Sequence, residues 1–177
     1  MRRHRELIAA LLAGIAATAV YAYASQGGAP RSSSVAGHLM GVVGMALMLA
    51  TETLYSLRKR ARRAQFGRLR DWLSVHIFMG IFGPYLVLLH SAWAFNGLAG
   101  AAMLMTILVV ISGFVGRYIY TRVPRSADGS ELPSASSAAA RRMLATWHTV
   151  HVPLGLAMFT AATLHAVAGL YFATLGR

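Results

Sequence analysis

Two fifteen-residue stretches decide the fold: HIFMGIFGPYLVLLH at residues 76–90 and HVPLGLAMFTAATLH at residues 151–165. Each opens and closes on histidine, and between them lie almost only apolar or small residues. Neither contains a charged residue. Fourteen residues at 100° each close to within about 40° of whole turns, so His76 and His90 share one helix face, as do His151 and His165. The rise over fourteen residues is roughly 21 Å, which sets one histidine of each pair in each half of a bilayer.

The surroundings of both stretches have membrane length. Apolar runs cover 7–24, 35–57, 72–95, 98–120 and 146–175, each near or above the roughly 18 to 20 residues that cross a hydrocarbon core. The expected fold class is therefore all-α: an integral membrane bundle of five transmembrane helices forming one domain over 1–177, with inner loops at 58–71 and 121–145. The first run follows a basic start and is read as an uncleaved anchor, since it spans a membrane and lacks a clear cleavage signal. Of 177 residues, 56% are hydrophobic and 12% charged, far from a soluble mixture.

The net charge of +12 raises the question of nucleic acid, and its placement answers it. Residues 2–5, 58–70 and 117–142 hold three, seven and five of the 17 Lys and Arg. All three segments fall on one side of a five-span chain, which the positive-inside rule makes cytoplasmic. The expected topology is amino terminus in, carboxyl terminus out, with membrane lipid as a partner and no nucleic acid. A bacterial cytoplasmic (inner) membrane is the expected location. Gly27, Gly28 and Pro30 with Ser32 to Ser34 mark an outer loop, Asn96-Gly97 marks a tight turn, and 125–142, without an apolar period, is expected to be an inner loop that is mobile or ordered only against a partner.

With that topology, the helices bearing the histidines both run outward. His76 then matches His151 in depth, toward the inside, and His90 matches His165, toward the outside. An ionisable residue within a span is costly and is a functional hypothesis by default. Four at matched spacing on two parallel spans suit bis-histidine ligation of two b-type haems, held between helices three and five. No cysteine is present, so covalent c-type attachment, disulfides and iron–sulfur clusters held by this chain are excluded.

Other residues group around this constellation. Gly83 lies midway between His76 and His90 on nearly the same face, where the lack of a side chain lets a porphyrin edge approach the backbone. Gly80 and Gly155 are further candidates for that role, and Gly113 and Gly116 for helix packing. Pro84 and Pro153 are expected to bend their helices. His148 lies one turn before His151 and is the alternative ligand, but it breaks the fourteen-residue match and is placed near a haem propionate instead. Arg117, Arg122 and Arg141 are suited to pair with propionates, although positive-inside residues need no such partner. His38 is either an interfacial histidine or a contact for a propionate or quinone, and Glu52 either reaches toward Arg58 or Arg60 or takes part in proton uptake.

The chain resembles the ferric-reductase-like transmembrane domain family of di-haem membrane cytochromes b. The resemblance rests on Ser74-Val75-His76 and Leu89-His90, on the segment 112–125, on Trp147 to Pro153, and on Leu164-His165. It covers roughly residues 35–175. It implies bis-histidine haems at His76, His90, His151 and His165, moving electrons across the membrane one at a time. Two departures stand out: five spans where the family commonly has six, and no flavin or nicotinamide domain after helix five. There is also no Pro-Glu-Trp-Tyr quinol-site motif. The expected role is thus the electron-transfer subunit of an oxidoreductase complex and not a complete enzyme. Its expected partners are a c-type cytochrome outside, an iron–sulfur or flavin protein inside, and quinone. A histidine-based metal transporter or metal-binding membrane protein is the competing function.

Overall fold

A computed structural model describes residues 4–25, 34–60, 69–123 and 135–175. Most of the outer loop expected at 27–34, and the inner-loop residues 61–68 and 124–134 with Arg125 among them, lie outside the described residues. The described chain is all-helical: α1 Arg5–Ala24, α2 Val35–Arg60, α3 Leu69–His90, α4 Gly97–Thr121 and α5 Ala135–Thr174. All five are long and apolar enough to cross a membrane.

These sequences become spanning helices because a lipid core offers no partner to backbone N–H and C=O groups, and a helix satisfies them within the segment. Large apolar side chains accordingly point outward, as in Leu11, Leu12, Leu156 and Leu170, each more than 60% exposed. In water such faces would drive aggregation; against lipid tails they are at rest. The chain divides into two compact units, Met1–Phe95 and Asn96–Arg177.

In the first unit α3 packs against both α1 and α2. Thr18 and Tyr85 share a hydroxyl–hydroxyl bond from α1 to α3. The α2–α3 seam is antiparallel and strictly registered. Gly37 meets His90, Gly44 meets Gly83 and Thr51 meets His76, so contacts recur every seven residues on both helices. The midpoint is a close backbone approach: a methyl group at Gly44 would stand 2.8 Å from Gly83 O. Small residues permit such an approach, and packing and hydrogen bonds hold helices together in lipid where no hydrophobic drive exists.

The third span was expected to reach residue 95, yet α3 ends at His90. Ala92 and Trp93 take positive φ angles of 46° and 64°, which no right-handed helix accommodates. Ser91 stabilises the turn: its hydroxyl donates to Leu88 O at 2.7 Å and accepts from Trp93 N–H at 3.2 Å.

The second unit is an antiparallel pair, α4 with α5. Its seam is also registered, with Ser112 level with His151 and Gly116 level with Trp147. At the basic end, buried Ile119, Val123 and Ala140 cluster with Leu144 and Trp147. This corrects the expectation of a loop over 135–142, because α5 already begins at Ala135. Ala140, Leu144 and Trp147 fall at helical spacing, but the apolar stripe is carried partly by small residues, which hid its period. At 40 residues α5 is about 60 Å long, twice a hydrocarbon core. Pro84 and Pro153 lie inside continuous helices.

Candidate functional site

The two histidines of α3 are both anchored on α2. His76 donates from Nδ1 to Thr51 O at 3.1 Å, and His90 donates from Nδ1 to Gly37 O at 2.8 Å. A carbonyl oxygen can only accept, so Nδ1 must carry the proton in both rings. In neutral imidazole the lone pair is then on Nε2, on the far side of the ring from the anchor. That arrangement is typical of ligating histidines, whose second nitrogen donates to a carbonyl or carboxylate and so fixes tautomer and orientation.

His151 is held differently. Its Nδ1 lies 3.1 Å from Ser112 Oγ on α4, and its ring stacks on the Trp147 indole with centroids 4.6 Å apart at 24°. Trp147 is fixed in turn, because Nε1–H donates to Ser112 O at 2.7 Å and to Ser112 Oγ at 3.1 Å. Gly116 leaves the slot for the indole, since a methyl group there would overlap Trp147 Cζ2. Ser112 thus links the indole and the imidazole. His165 is half-buried fourteen residues further along α5, and no hydrogen bond of its ring is seen among the described residues.

Depth within each unit follows from register. His76 lies six residues from Arg70, the nearest basic residue at the basic end of the apolar part of α3. His151 is level with Ser112, five residues from Arg117 on α4. Each unit therefore sets its first histidine about 8 to 9 Å from its basic boundary, and its second roughly 21 Å further on.

The remaining candidates divide. Gly83 is buried against α2, where a methyl group would meet Gly44 O and Met48 Cγ at 3.0 Å. The close approach there is between two helices. Among the described residues, a methyl group on Gly80 would meet Thr51 Cγ2 alone, at 3.6 Å, and one on Gly155 would meet nothing within 4 Å. A methyl group on Gly113 would stand 3.9 Å from Cε1 of the His151 ring. His148 is exposed, in an edge contact with Trp147 at 6.4 Å. Arg117 is half-buried and Arg141 exposed. Arg122 is engaged with Tyr118, donating to its hydroxyl at 2.6 Å and lying 4.6 Å over its ring. His38 is exposed at the start of α2, donates from Nδ1 to Ser34 O at 3.1 Å, and has its ring edge-on to His90 at 6.2 Å. Glu52 accepts from Ser56 Oγ at 3.2 Å.

Sequence reasoning missed the groups that hold the histidines: the carbonyls of Gly37 and Thr51, the Ser112 hydroxyl and the Trp147 indole. A signal existed for α2, whose Gly37, Gly44 and Thr51 repeat the seven-residue spacing of His76, Gly83 and His90. Among the described residues no three His, Cys, Asp or Glu side chains gather to hold a metal ion by themselves. No family model, curated protein or solved structure matches the chain.

Proposed function

We propose that this chain is a di-haem b-type cytochrome subunit carrying electrons across a membrane, with His76 and His151 ligating an inner haem and His90 and His165 an outer one. The observation that carries this reading is the anchoring of both α3 histidines through Nδ1 to carbonyls of α2, at 3.1 and 2.8 Å. Histidines held merely as satisfied polar residues have no need of one tautomer, whereas an axial ligand requires its lone pair on Nε2 and its ring held against rotation. The donor set fits haem: four imidazoles at matched fourteen-residue spacing on two apolar spans, without cysteine.

Haem bound there would supply reversible one-electron iron chemistry. The chain's own part is to position. Thr51 and Gly37 carbonyls fix the α3 rings, and Ser112 with Trp147 fixes His151. The apolar spans exclude water, and the arginines at the basic end offer planar forks to propionates. The topology is amino terminus in and carboxyl terminus out, in a bacterial cytoplasmic membrane. The redox partners are a c-type cytochrome outside and an iron–sulfur or flavin protein inside, with quinone as a further electron carrier.

The test is a pyridine haemochrome assay and a reduced-minus-oxidised spectrum on the purified full chain. Two b-type haems per chain are expected, falling to one in His90→Ala and in His165→Ala. A purified chain without a b-type α band overturns the proposal, as does a haem content unchanged by either substitution.

A further inference from the structure

We propose that α2, which carries none of the four ligands, is the helix that orients the outer ligand, and that Gly41 is the positioning residue on which the His90 ring lies. This rests on the di-haem reading above and assigns a role to residues outside its ligand set.

His90 is the last residue of α3, and after Ser91 come two residues with positive φ, Ala92 and Trp93. The His90 ring is held from outside its own helix. The confinement comes from α2. Gly37 O accepts the Nδ1 proton at 2.8 Å, from one side of the ring. One turn along, a methyl group on Gly41 would stand 2.9 Å from His90 Cγ and 3.0 Å from both Cδ2 and Nδ1. Near-equal distances to three adjacent ring atoms place that methyl over the ring face, so the imidazole lies flat across the glycine. The atoms it would strike include Cγ, the root of the ring, which lies on the χ2 axis and cannot yield without turning χ1 or shifting backbone. His38, one residue past Gly37, borders the ring edge at 6.2 Å.

Residue 41 must therefore lack a side chain for His90 to hold its ring where Nδ1–H reaches Gly37 O. Gly80 forms the natural contrast, because a methyl group there meets only Thr51 Cγ2 at an ordinary 3.6 Å. A glycine kept for general helix contact tolerates alanine at such a distance, whereas Gly41 does not.

The experiment compares wild type, Gly41→Ala and Gly80→Ala as full-length proteins in detergent. Potentiometric titration resolves the two haem components, and selective 15N-histidine spectra, assigned with His90→Ala, report the tautomer of His90. In Gly41→Ala one of the two midpoints is expected to move upward, because an imidazole that loses its Nδ1–H acceptor is a weaker donor to iron. The alternative expected outcome is loss of that haem alone, from two per chain to one. Gly80→Ala should match wild type in both readouts. Unchanged midpoints and tautomer in Gly41→Ala overturn the inference, and so does equal loss of both haems in that variant. The wild-type tautomer needs no glycine variant: a proton on Nε2 of His90 overturns the inference by itself. Wild type without haem overturns the di-haem reading instead, and the 15N measurement on the haem-free chain then still decides the ring's orientation.

Discussion

Gly44→Ala tests the seam that holds both α3 histidines at once. The added methyl would stand 2.8 Å from Gly83 O and from Val87 Cγ2, whereas ordinary contact begins at 3.4 Å. Backbone cannot step aside as a flexible side chain can, so α2 and α3 must part by about 0.6 Å at this level. The two anchors lie seven residues to either side. If the helices separate as rigid rods, the His76 bond lengthens from 3.1 Å to about 3.7 Å, beyond hydrogen-bonding reach, and the His90 bond from 2.8 Å to about 3.4 Å. Overpacking of this kind costs about 1 to 3 kcal/mol, and each lost bond adds about 1 kcal/mol. The expected outcome is a lower unfolding midpoint in a denaturing-detergent titration followed by circular dichroism, with mixed tautomers at His76 in 15N spectra. The inner site should suffer more than the outer. A Gly44→Ala chain that unfolds with the wild-type midpoint and keeps His76 wholly Nδ1-protonated would refute the registered seam.

Four further outcomes are expected. Ser112→Ala removes the hydroxyl shared by Trp147 and His151; it should destabilise the chain by about 1 to 3 kcal/mol and alter the low-spin signal of one haem only, checked by electron paramagnetic resonance. Gly116→Ala expels the Trp147 indole from its slot, and a red shift with altered intensity in the fluorescence of a chain retaining only that tryptophan will report it. His148→Ala should keep two haems per chain while His151→Ala keeps one, by pyridine haemochrome; the reverse result reassigns the ligand. Because the chain has no cysteine, single-cysteine variants read topology cleanly. Asn96→Cys should react with an impermeant maleimide from outside, and Arg142→Cys only after the membrane is opened.

The five spans were legible from sequence because runs of about 20 apolar residues are sufficient for a helix in lipid. The interruption at residue 91 was not legible, since Ala92 and Trp93 are not residues that advertise a left-handed turn. The start of α5 was obscured for another reason. Alanine and serine at 135–140 carry little hydropathy, yet Ala140 is buried against Ile119 and Val123. Gly83 was read from its face alone, and a face does not say which neighbour fills it.

The sequence by itself determined that these histidines share helix faces fourteen residues apart, because helical pitch is a property of the backbone and needs no neighbours. The tertiary structure alone decided which nitrogen of His76 and His90 bears the proton and which residues hold the rings. Those outcomes depend on carbonyls of Thr51 and Gly37, 25 and 53 residues away along the chain, brought into place only when α2 and α3 pack in register.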